Sequence, residues 1–266
     1  MSLNRIVTFS FIVLLISAML YDGYNDMPFW VYVFLILSYL IIHIAGSFNL
    51  SMRYFLPVKY KGRPESNAIA ITFDDGPVPG KTEKILEILS QHKVLATFFC
   101  IGNRIDRHPA LVKRIYSEGH LLANHTYWHG KTFDFQSSAK IEKELLDTDV
   151  ALKKAIGLTP RFFRPPYGVT NPMVASAVKQ RGYETIGWSV RSFDTITQDS
   201  SVLMKRVTKS LKAGDMILFH DYCDVTIEIL PALLEHISKL GLKIVRADEL
   251  LNEKAYVEEY TVPKSC

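Results

Sequence analysis

The sequence predicts an α/β domain with a parallel sheet, and this domain follows an apolar helical hairpin. Three observations predict this fold. Two apolar runs lie within the first 50 residues, and short apolar runs alternate with helical patterns from residue 68 onward. Polar residues able to do chemistry stand just past the ends of several of these short runs. Strict alternation of short strands with helices is typical of parallel sheets.

The composition restricts the class of protein. The 266 residues are enough for one full-sized α/β domain, and the 48% hydrophobic content excludes a disordered chain. The formal net charge is only +4, without a dense Lys/Arg run, so nucleic acid is not an expected partner. The three cysteines, Cys100, Cys223 and Cys266, form no CxxC motif, which argues against a disulfide framework or a thiolate metal site.

The N-terminal apolar runs, residues 6–21 and 29–45, are separated by the short polar segment 22–28. The first run would span about 24 Å as a helix. We therefore predict that residues 1–50 form a transmembrane hairpin, which makes this a multi-pass protein of the cell membrane with the bilayer as a partner. Alternatively, the first run is a signal peptide and the second run alone is the anchor.

The side of the membrane that bears the catalytic domain stays open at this point. Arg5 precedes the hairpin, Arg53 and Lys59 follow it, and its loop carries Asp22 and Asp26. By the positive-inside rule, both ends of the hairpin then face the cytoplasm. If only one run spans the membrane, or if the first is removed, the domain lies outside.

Residues 51–66, with two prolines and a glycine, are predicted to be a linker, and residues 67–266 are predicted to be the catalytic domain. The predicted strands are residues 68–73, 96–101, 120–124, 161–164, 183–188, 216–219 and 243–246. The predicted helices are residues 82–91, 110–118, 139–156, 172–181, 202–211 and 226–240. An open doubly wound sheet and a (β/α) barrel both fit this alternation. The polar residues past distant strand ends favour the barrel, because its strand ends converge on one mouth.

The first chemical motif is Thr-Phe-Asp-Asp-Gly-Pro at residues 72–77. Side-chain alternation would point Asp74 and Asp75 in different directions, so one is expected to bind a metal while the other faces the substrate. Taken alone, the segment is equally compatible with a turn that Asp caps and Gly-Pro closes.

The second motif is Asn-His-Thr-Tyr-Trp-His at residues 124–129. The i, i+4 spacing would place His125 and His129 on one face of a helical turn, which suits two nitrogen ligands of Zn²⁺ or a similar divalent ion. Most isolated pairs of this kind are surface or packing histidines. A carboxylate from another strand end would complete a two-His-one-carboxylate site that keeps open positions.

Two further motifs end strands, Arg-Pro-Pro-Tyr-Gly at residues 164–168 and Ile-Leu-Phe-His-Asp at residues 217–221. Arg164 is able to pair with a carboxylate and keep it ionised, and the tight turn offers a backbone N–H to an oxyanion. His220 has the residue type of a general acid near neutral pH. Alone, each motif also fits a structural role.

In this order, TFDDG, NHTYWH, RPPYG and LFH resemble the motifs of the polysaccharide deacetylase family, also called the NodB-homology or carbohydrate esterase family 4 group. The resemblance covers residues 65 to about 250. It implies a distorted (β/α)7 barrel and metal-assisted removal of acetyl groups from N- or O-acetylated sugars. The implied substrate is a polysaccharide or oligosaccharide such as chitooligosaccharide or peptidoglycan, and no protein partner is implied.

The resemblance also implies residue roles. Asp74 is the general base, and the ligands of a divalent metal are Asp75, His125 and His129. The metal is expected to be Zn²⁺, with Co²⁺ or Ni²⁺ as alternatives. Arg164 is implied to orient the general base, and the backbone N–H of Tyr167 is implied to bind the oxyanion. Leu218 would line the pocket for the acetyl methyl group, and His220 would be the general acid.

One motif departs from the family pattern. Where the family commonly has Asp-x-x-Asp-Trp, this chain has Arg191, then Asp194, then Thr195. The resemblance implies that Asp194 supports the catalytic histidine. The loss of the tryptophan changes the expected substrate surface, and we hypothesise that Arg191 contacts a phosphate or carboxylate of the substrate.

Two rival functions remain at this point. One is a deacetylase or deformylase of a lipid-linked amino sugar at the membrane surface, which is consistent with the hairpin and with Arg191. The other is a non-catalytic membrane sugar-binding protein on the same barrel. That second rival predicts the loss of a metal ligand or of the base, and this sequence retains them all.

Overall fold

The computed structural model describes residues 2–257, so Cys266 and the last part of the predicted catalytic domain lie outside the described residues. Two N-terminal helices, α1 (Leu3–Asp22) and α2 (Phe29–Phe48), match the two apolar runs. By length and composition both are able to cross a membrane, and only 6% of each apolar window is buried inside the protein. A signal sequence near the N-terminus has the same properties.

In the described residues, eight strands form one sheet in which every strand pairing is parallel. The strands are β1 (Ala68–Gly76), β2 (Thr97–Cys100), β3 (Leu121–Asn124), β4 (Phe162–Phe163), β5 (Glu184–Thr185), β6 (Val190–Arg191), β7 (Met216–His220) and β8 (Lys243–Val245). The helices that follow the hairpin are α3 (Thr82–Gln91), α4 (Gly102–Arg107), α5 (Pro109–Ser117), α6 (Ser138–Ile156), α7 (Pro172–Arg181), α8 (Ser200–Thr208), α9 (Asp224–Lys239) and α10 (Ala247–Leu251).

The strand order β5-β4-β3-β2-β1-β7-β6, with β8 also paired to β1, is that of the predicted distorted barrel. Strand β1 lies centrally and pairs with β2, β7 and β8. The strands run parallel, so their carboxyl ends meet at one mouth.

The predicted strand 183–188 is divided in the structure. Strand β5 ends at Thr185, and the backbone then turns to other partners. The Gly187 N–H donates to the Lys59 carbonyl at 2.8 Å, and the Ser189 N–H donates to the Met216 carbonyl at 3.0 Å. Within residues 2–257 no pairing joins β5 to β6, so the barrel is open there, beside an isolated bridge from Lys59 to Ile186.

Helix α4 was not predicted from the sequence. It has six residues, of which only Gly102 and Ile105 are buried, so it shows no apolar periodicity long enough to indicate a helix. Helix α4 ends at Arg107, and the single residue His108 separates it from α5, which begins with Pro109. Proline is favoured at the first position of a helix, because its missing N–H has no intrahelical partner there.

Side-chain alternation along β1 divides the core into two layers. Ile69, Ile71 and Phe73 pack in a cluster between the sheet and the outer helices. Ala68 and Ala70 belong to a separate cluster that also contains Phe99 and Met216 and lies inside the barrel. Small alanines on the inner face leave room for the polar residues that follow at the mouth.

The first part of the predicted linker 51–66 packs against the α/β domain. Tyr54, Phe55, Leu56 and Val58 are buried in a third cluster that includes side chains of α6 and α7. Helix α1 is hydrogen-bonded to this segment, because the Asn4 N–H donates to the Tyr54 carbonyl at 3.0 Å. The first part of this segment therefore belongs to the domain core, which its turn-rich composition did not indicate.

Candidate metal centre and catalytic site

A bulge at the end of β1 brings both adjacent carboxylates to the mouth. The β1–β2 register shifts between Asp74 and Gly76, and Asp75 has a positive φ of 72°. A bulge inserts an extra residue and re-aims the side chains around it. The expectation that Asp74 and Asp75 point in different directions is therefore wrong, since a carboxylate oxygen of each lies within 4 Å of His125 Nε2.

The segment that carries His125 and His129 is a loop, so the predicted helical turn is also wrong. Thr126 and His129 have φ values of 64° and 50°. Side chains hold this backbone in shape: Asn124 Oδ1 accepts from the Thr126 N–H at 2.9 Å, and Thr126 Oγ1 accepts from the His129 N–H at 3.2 Å. The imidazoles still converge, with ring centroids 4.8 Å apart.

Asp75, His125 and His129 form a cluster whose candidate ligand atoms all lie within 4.8 Å of one another. Asp75 Oδ1 is 3.4 Å from His125 Nε2 and 3.3 Å from His129 Nε2. The same oxygen is buried and accepts no hydrogen bond within the described part of the chain. Buried oxygens of this kind are rare, and a carboxylate with two imidazole nitrogens is a donor set that Zn²⁺ and similar ions prefer. The residues present therefore fit a divalent metal.

Protonation states in the cluster suit metal binding. His125 Nδ1 lies 2.8 Å from the Arg164 carbonyl, which makes it the hydrogen-bond donor and leaves Nε2 with a free lone pair. Burial, reinforced by the neighbouring His125, lowers the pKa of His129 to about 4. Burial opposes the charge of Asp75, but the two histidines outweigh it and hold the pKa of that carboxyl below its usual range. Metal ligands must be deprotonated, and both shifts favour the deprotonated forms of Asp75 and His129 at neutral pH.

Asp74 is held by a fully buried arginine. Arg164 Nη1 donates to Asp74 Oδ1 at 2.6 Å, and its other N–H groups donate to the carbonyls of Ile186 and Gly187. The guanidinium lies 4.0 Å from the centroid of the Phe99 ring. A buried ion pair is stable only when its remaining donors are satisfied, as they are here. Asp74 Oδ2 accepts no hydrogen bond from residues 2–257 and faces the cluster of Asp75, His125 and His129, 3.8 Å from His125 Nε2.

His220 and Asp194 form the opposite side of the mouth. His220 lies in register with Asp74 across β7 and β1, and its Nδ1 is 2.8 Å from Asp194 Oδ1. Asp194 also accepts from the His220 N–H and from the Thr226 hydroxyl, each at 2.7 Å. Burial acts to lower the pKa of His220, but the hydrogen bond and charge of Asp194, with Asp74 and Asp75, raise it above the usual value.

The loop after β4 brings Tyr167 over the metal cluster. Tyr167 has a φ of 58°, and its ring centroid lies 4.8 Å from that of His129. Among residues 2–257 no backbone carbonyl accepts its N–H, so this donor is available to a ligand. Leu218, with an exposed fraction of 3%, pairs with Thr72 and with Arg191 on the strands beside it.

Arg191 lies on the inner face of the barrel. Paired residues on neighbouring strands share a face, and Arg191 pairs with Leu218, whereas the preceding Val190 packs on the outer core. Its guanidinium lies 5.5 Å from the Trp188 ring and 4.8 Å from the Phe193 ring. It is exposed and has no carboxylate partner within residues 2–257.

Three residues that shape the site were assigned no role from the sequence. Thr226 supports Asp194 from α9, and Trp188 packs against Gly168 and beneath Arg191. Asp221 is buried and accepts from the Thr82 hydroxyl at 2.5 Å. A Cβ at Gly76 would lie 2.2 Å from Asp221 Oδ2, so this strand end requires glycine.

Comparisons with known proteins point to one family. A family model described as polysaccharide deacetylase matches residues 61–186. A peptidoglycan-N-acetylglucosamine deacetylase of Bacillus cereus is 38% identical over 191 residues, which cover 70% of this chain and 89% of that protein. The peptidoglycan-N-acetylglucosamine deacetylase PgdA of Listeria monocytogenes is 34% identical over 80% of this chain, which spans only 46% of the length of that relative.

A solved structure gives the same comparison in three dimensions. The crystal structure of a peptidoglycan N-acetylglucosamine deacetylase superposes with a TM-score of 0.70 at 28% identity. The match covers 74% of this chain and 94% of that one. The likeness therefore extends over nearly the whole of that structure and about three quarters of this chain.

Proposed function

This chain belongs to the polysaccharide deacetylase family, and we propose that it is a metal-dependent hydrolase that removes acetyl groups from N-acetylated sugars of a polysaccharide or oligosaccharide. The observation that carries the proposal is the buried Asp75, His125 and His129 cluster, which faces the free oxygen of Asp74. O-acetylated sugars are an alternative substrate of the same chemistry.

Asp75, His125 and His129 would hold the metal, with Zn²⁺ as the preferred ion and Co²⁺ or Ni²⁺ as alternatives. When bound, a divalent ion in such a site polarises the acetyl carbonyl and lowers the pKa of water. Asp74 acts as the general base: Arg164 occupies Oδ1 and leaves Oδ2 to accept the proton of the attacking water.

His220 acts as the general acid that protonates the leaving amine. Asp194 accepts from Nδ1, so the proton to be transferred is carried on Nε2. The Tyr167 N–H donates to the developing oxyanion, and Leu218 lines the pocket for the acetyl methyl group. Arg191 contacts an anionic group of the substrate, such as a phosphate or carboxylate.

The test measures acetate release by the full-length chain with Zn²⁺ on N-acetylglucosamine oligomers and on peptidoglycan. We expect activity that Asp74→Asn lowers by about 10³-fold, since general bases contribute on this scale, with metal content unchanged. An Asp74→Asn variant of undiminished activity would refute the assigned base. The absence of acetate release from every acetylated sugar tested would favour the non-catalytic sugar-binding alternative.

We further propose that residues 1–50 anchor the protein in the cell membrane as a hairpin of two spans, and that residues 67–266 form the catalytic domain. Residues 51–66 connect the two and partly pack on the domain. The length and apolar surface of α1 and α2 support this assignment. A reporter fused to the C-terminus would give the side of the membrane on which the domain lies; a reporter on the side opposite to the N-terminus would exclude two spans.

One observation favours a second candidate, a deacetylase or deformylase of a lipid-linked amino sugar. The Thr170 N–H donates to the Ser47 carbonyl at 2.9 Å, which connects the end of α2 to the loop that carries Tyr167. If α2 spans the membrane, the mouth opens near its surface, where a lipid-linked sugar is within reach. Comparing acetate and formate release from lipid-linked and soluble amino sugars distinguishes the two candidates.

A further inference from the structure

A cleft of about 1040 Å³ lies where the beginning of α1 meets the catalytic domain. Its walls are residues 2–5, the segment around Arg53 and residues 55–57, helix α7 and the start of β5. None of the metal-cluster residues lines it, so it is separate from the candidate active site.

The cleft carries an excess of unpaired positive charge. Arg5, Arg53 and Lys179 line it, all three are exposed, and none has a carboxylate partner within residues 2–257. The single acidic lining residue, Glu184, is already engaged by Lys59 at 3.1 Å and by Arg161 at 3.7 Å. Such a cleft attracts an anion.

Two buried polar atoms in the walls have no hydrogen-bond partner among residues 2–257. Thr185 has an exposed fraction of 2%, and its hydroxyl makes no hydrogen bond; the side-chain oxygen of Asn4 is likewise buried and unpaired. Buried groups of this kind are rare and costly, and a ligand that bonds to them removes the cost. The N-terminus of α1, whose N-cap Ser2 makes no side-chain capping bond, adds a partial positive charge.

The surroundings of the cleft identify the source of the anion. Leu3 and Ile6 expose apolar surface at the start of α1, and Phe55 and Leu56 contribute apolar surface to the wall. We propose that the cleft binds the phosphate of an anionic lipid head group, with its acyl chains along α1. In this arrangement the Thr185 hydroxyl donates to a phosphate oxygen, and the Asn4 oxygen accepts from a head-group hydroxyl. The inference rests on the proposed membrane anchor and is independent of the proposed deacetylase activity.

Native mass spectrometry of the full-length protein, titrated with dioleoylphosphatidylglycerol or dioleoylphosphatidylcholine, tests the proposal. We expect phosphatidylglycerol to be retained selectively, and Arg5→Gln, Arg53→Gln and Lys179→Gln each to weaken its binding by about fivefold. The matched surface variants Arg107→Gln and Lys209→Gln, which lie outside the cleft, should leave binding unchanged. Equal losses in the two sets would overturn the site.

Thr185→Val separates a ligand contact from a structural role. It conserves shape and removes the unpaired hydroxyl, so we expect weaker phosphatidylglycerol binding by about threefold, the scale of one hydrogen bond. Unchanged lipid binding together with a raised Tm would show that the hydroxyl is only an unsatisfied core group, and would overturn its assignment as a ligand contact.

Two further experiments complete the test. One distinguishes a lipid phosphate from free phosphate, and the other tests the membrane anchor separately. Inorganic phosphate or glycerol phosphate bound as tightly as the lipid would overturn the lipid assignment. Carbonate extraction measures the anchor by itself, and release of the chain refutes it. A chain that stays in the membrane but binds both lipids equally would overturn the cleft assignment alone.

Discussion

The barrel mouth and the N-terminal hairpin depart from the usual pattern of apolar side chains inside and charged side chains outside, each in its own way. At the mouth, charged side chains are buried: Arg164 is fully enclosed, and Asp194 has an exposed fraction of 1%. In the hairpin, apolar side chains are exposed, such as Phe9 at 65% and Phe34 at 65%. Buried charge and exposed hydrocarbon both cost free energy unless a partner compensates for them. The difference teaches that the two regions are compensated differently: the mouth supplies partners from its own side chains, Asp74 for Arg164 and His220 for Asp194, whereas residues 2–257 leave the hydrocarbon of the hairpin uncovered.

The largest effect is expected from removing a candidate metal ligand at the mouth. His125→Ala removes one of three candidate ligands, and we expect loss of bound metal and a fall in acetate release of about 10³-fold. Metal analysis and acetate assays on the same preparation check this. His236→Ala, near the end of α9, is the control. An active His125→Ala enzyme with its metal retained would contradict the assigned centre.

The hairpin is tested by placing a charge on its exposed surface. Leu37→Asp, in α2, should cost about 3 kcal/mol of membrane insertion, the value for a carboxylate in the middle of a span. Membrane fractionation measures the change. Val150→Asp is the matched control, since Val150 is similarly exposed but lies on α6 of the domain. Equal distributions of both variants in membranes would argue against a spanning α2.

A smaller effect is expected in the pH dependence of activity, which depends on the general acid His220. The Asp194 carboxylate raises the pKa of His220, and the acid must be protonated to act, so activity is lost as pH rises through that pKa. Asp194→Asn removes the stabilising charge, lowers this pKa and should move the alkaline limb down by about one pH unit. Activity measured from pH 5 to pH 10 checks this. An unmoved limb would contradict the assignment of His220 as the titrating acid.

The smallest effect is expected at the rim of the mouth. Arg191→Gln should raise KM about threefold on peptidoglycan, which carries carboxylates, because an exposed ion pair is weak. The kcat should not change, nor should KM on uncharged chitooligosaccharides. Arg107→Gln is the control for a lost surface charge. A uniform change on both substrates would show that Arg191 only supports the Trp188 and Phe193 rings.

Much of the fold was predictable because it depends on local patterns. Apolar runs and helical periodicity located the two candidate spans and the parallel sheet, with strand ends shifted by a few residues. The short elements were not predictable. Helix α4 has too few apolar positions, and the division of 183–188 depends on bonds to Lys59 and Met216, which are distant in sequence.

The candidate site likewise has features that the sequence predicted and features that it did not. The three predicted metal ligands converge, and Arg164 contacts Asp74, because motifs at strand ends meet at one mouth. The local conformations were predicted wrongly, since neither the bulge at Asp75 nor the loop from His125 to His129 follows from spacing. The supporting residue Thr226 carries no signal in the sequence, because its role comes from its contact with Asp194, 32 residues away.

By itself, the sequence determined which residue types follow which strands, and therefore the family, the donor set and the apolar character of the hairpin. Only the tertiary structure decided how these groups meet: the bulge that turns two neighbouring carboxylates to one mouth, the burial of the segment after α2, and the basic cleft beneath α1. The physical reason is that composition and periodicity act over a few residues. Register, burial and charge pairing arise from contacts between segments that are far apart along the chain.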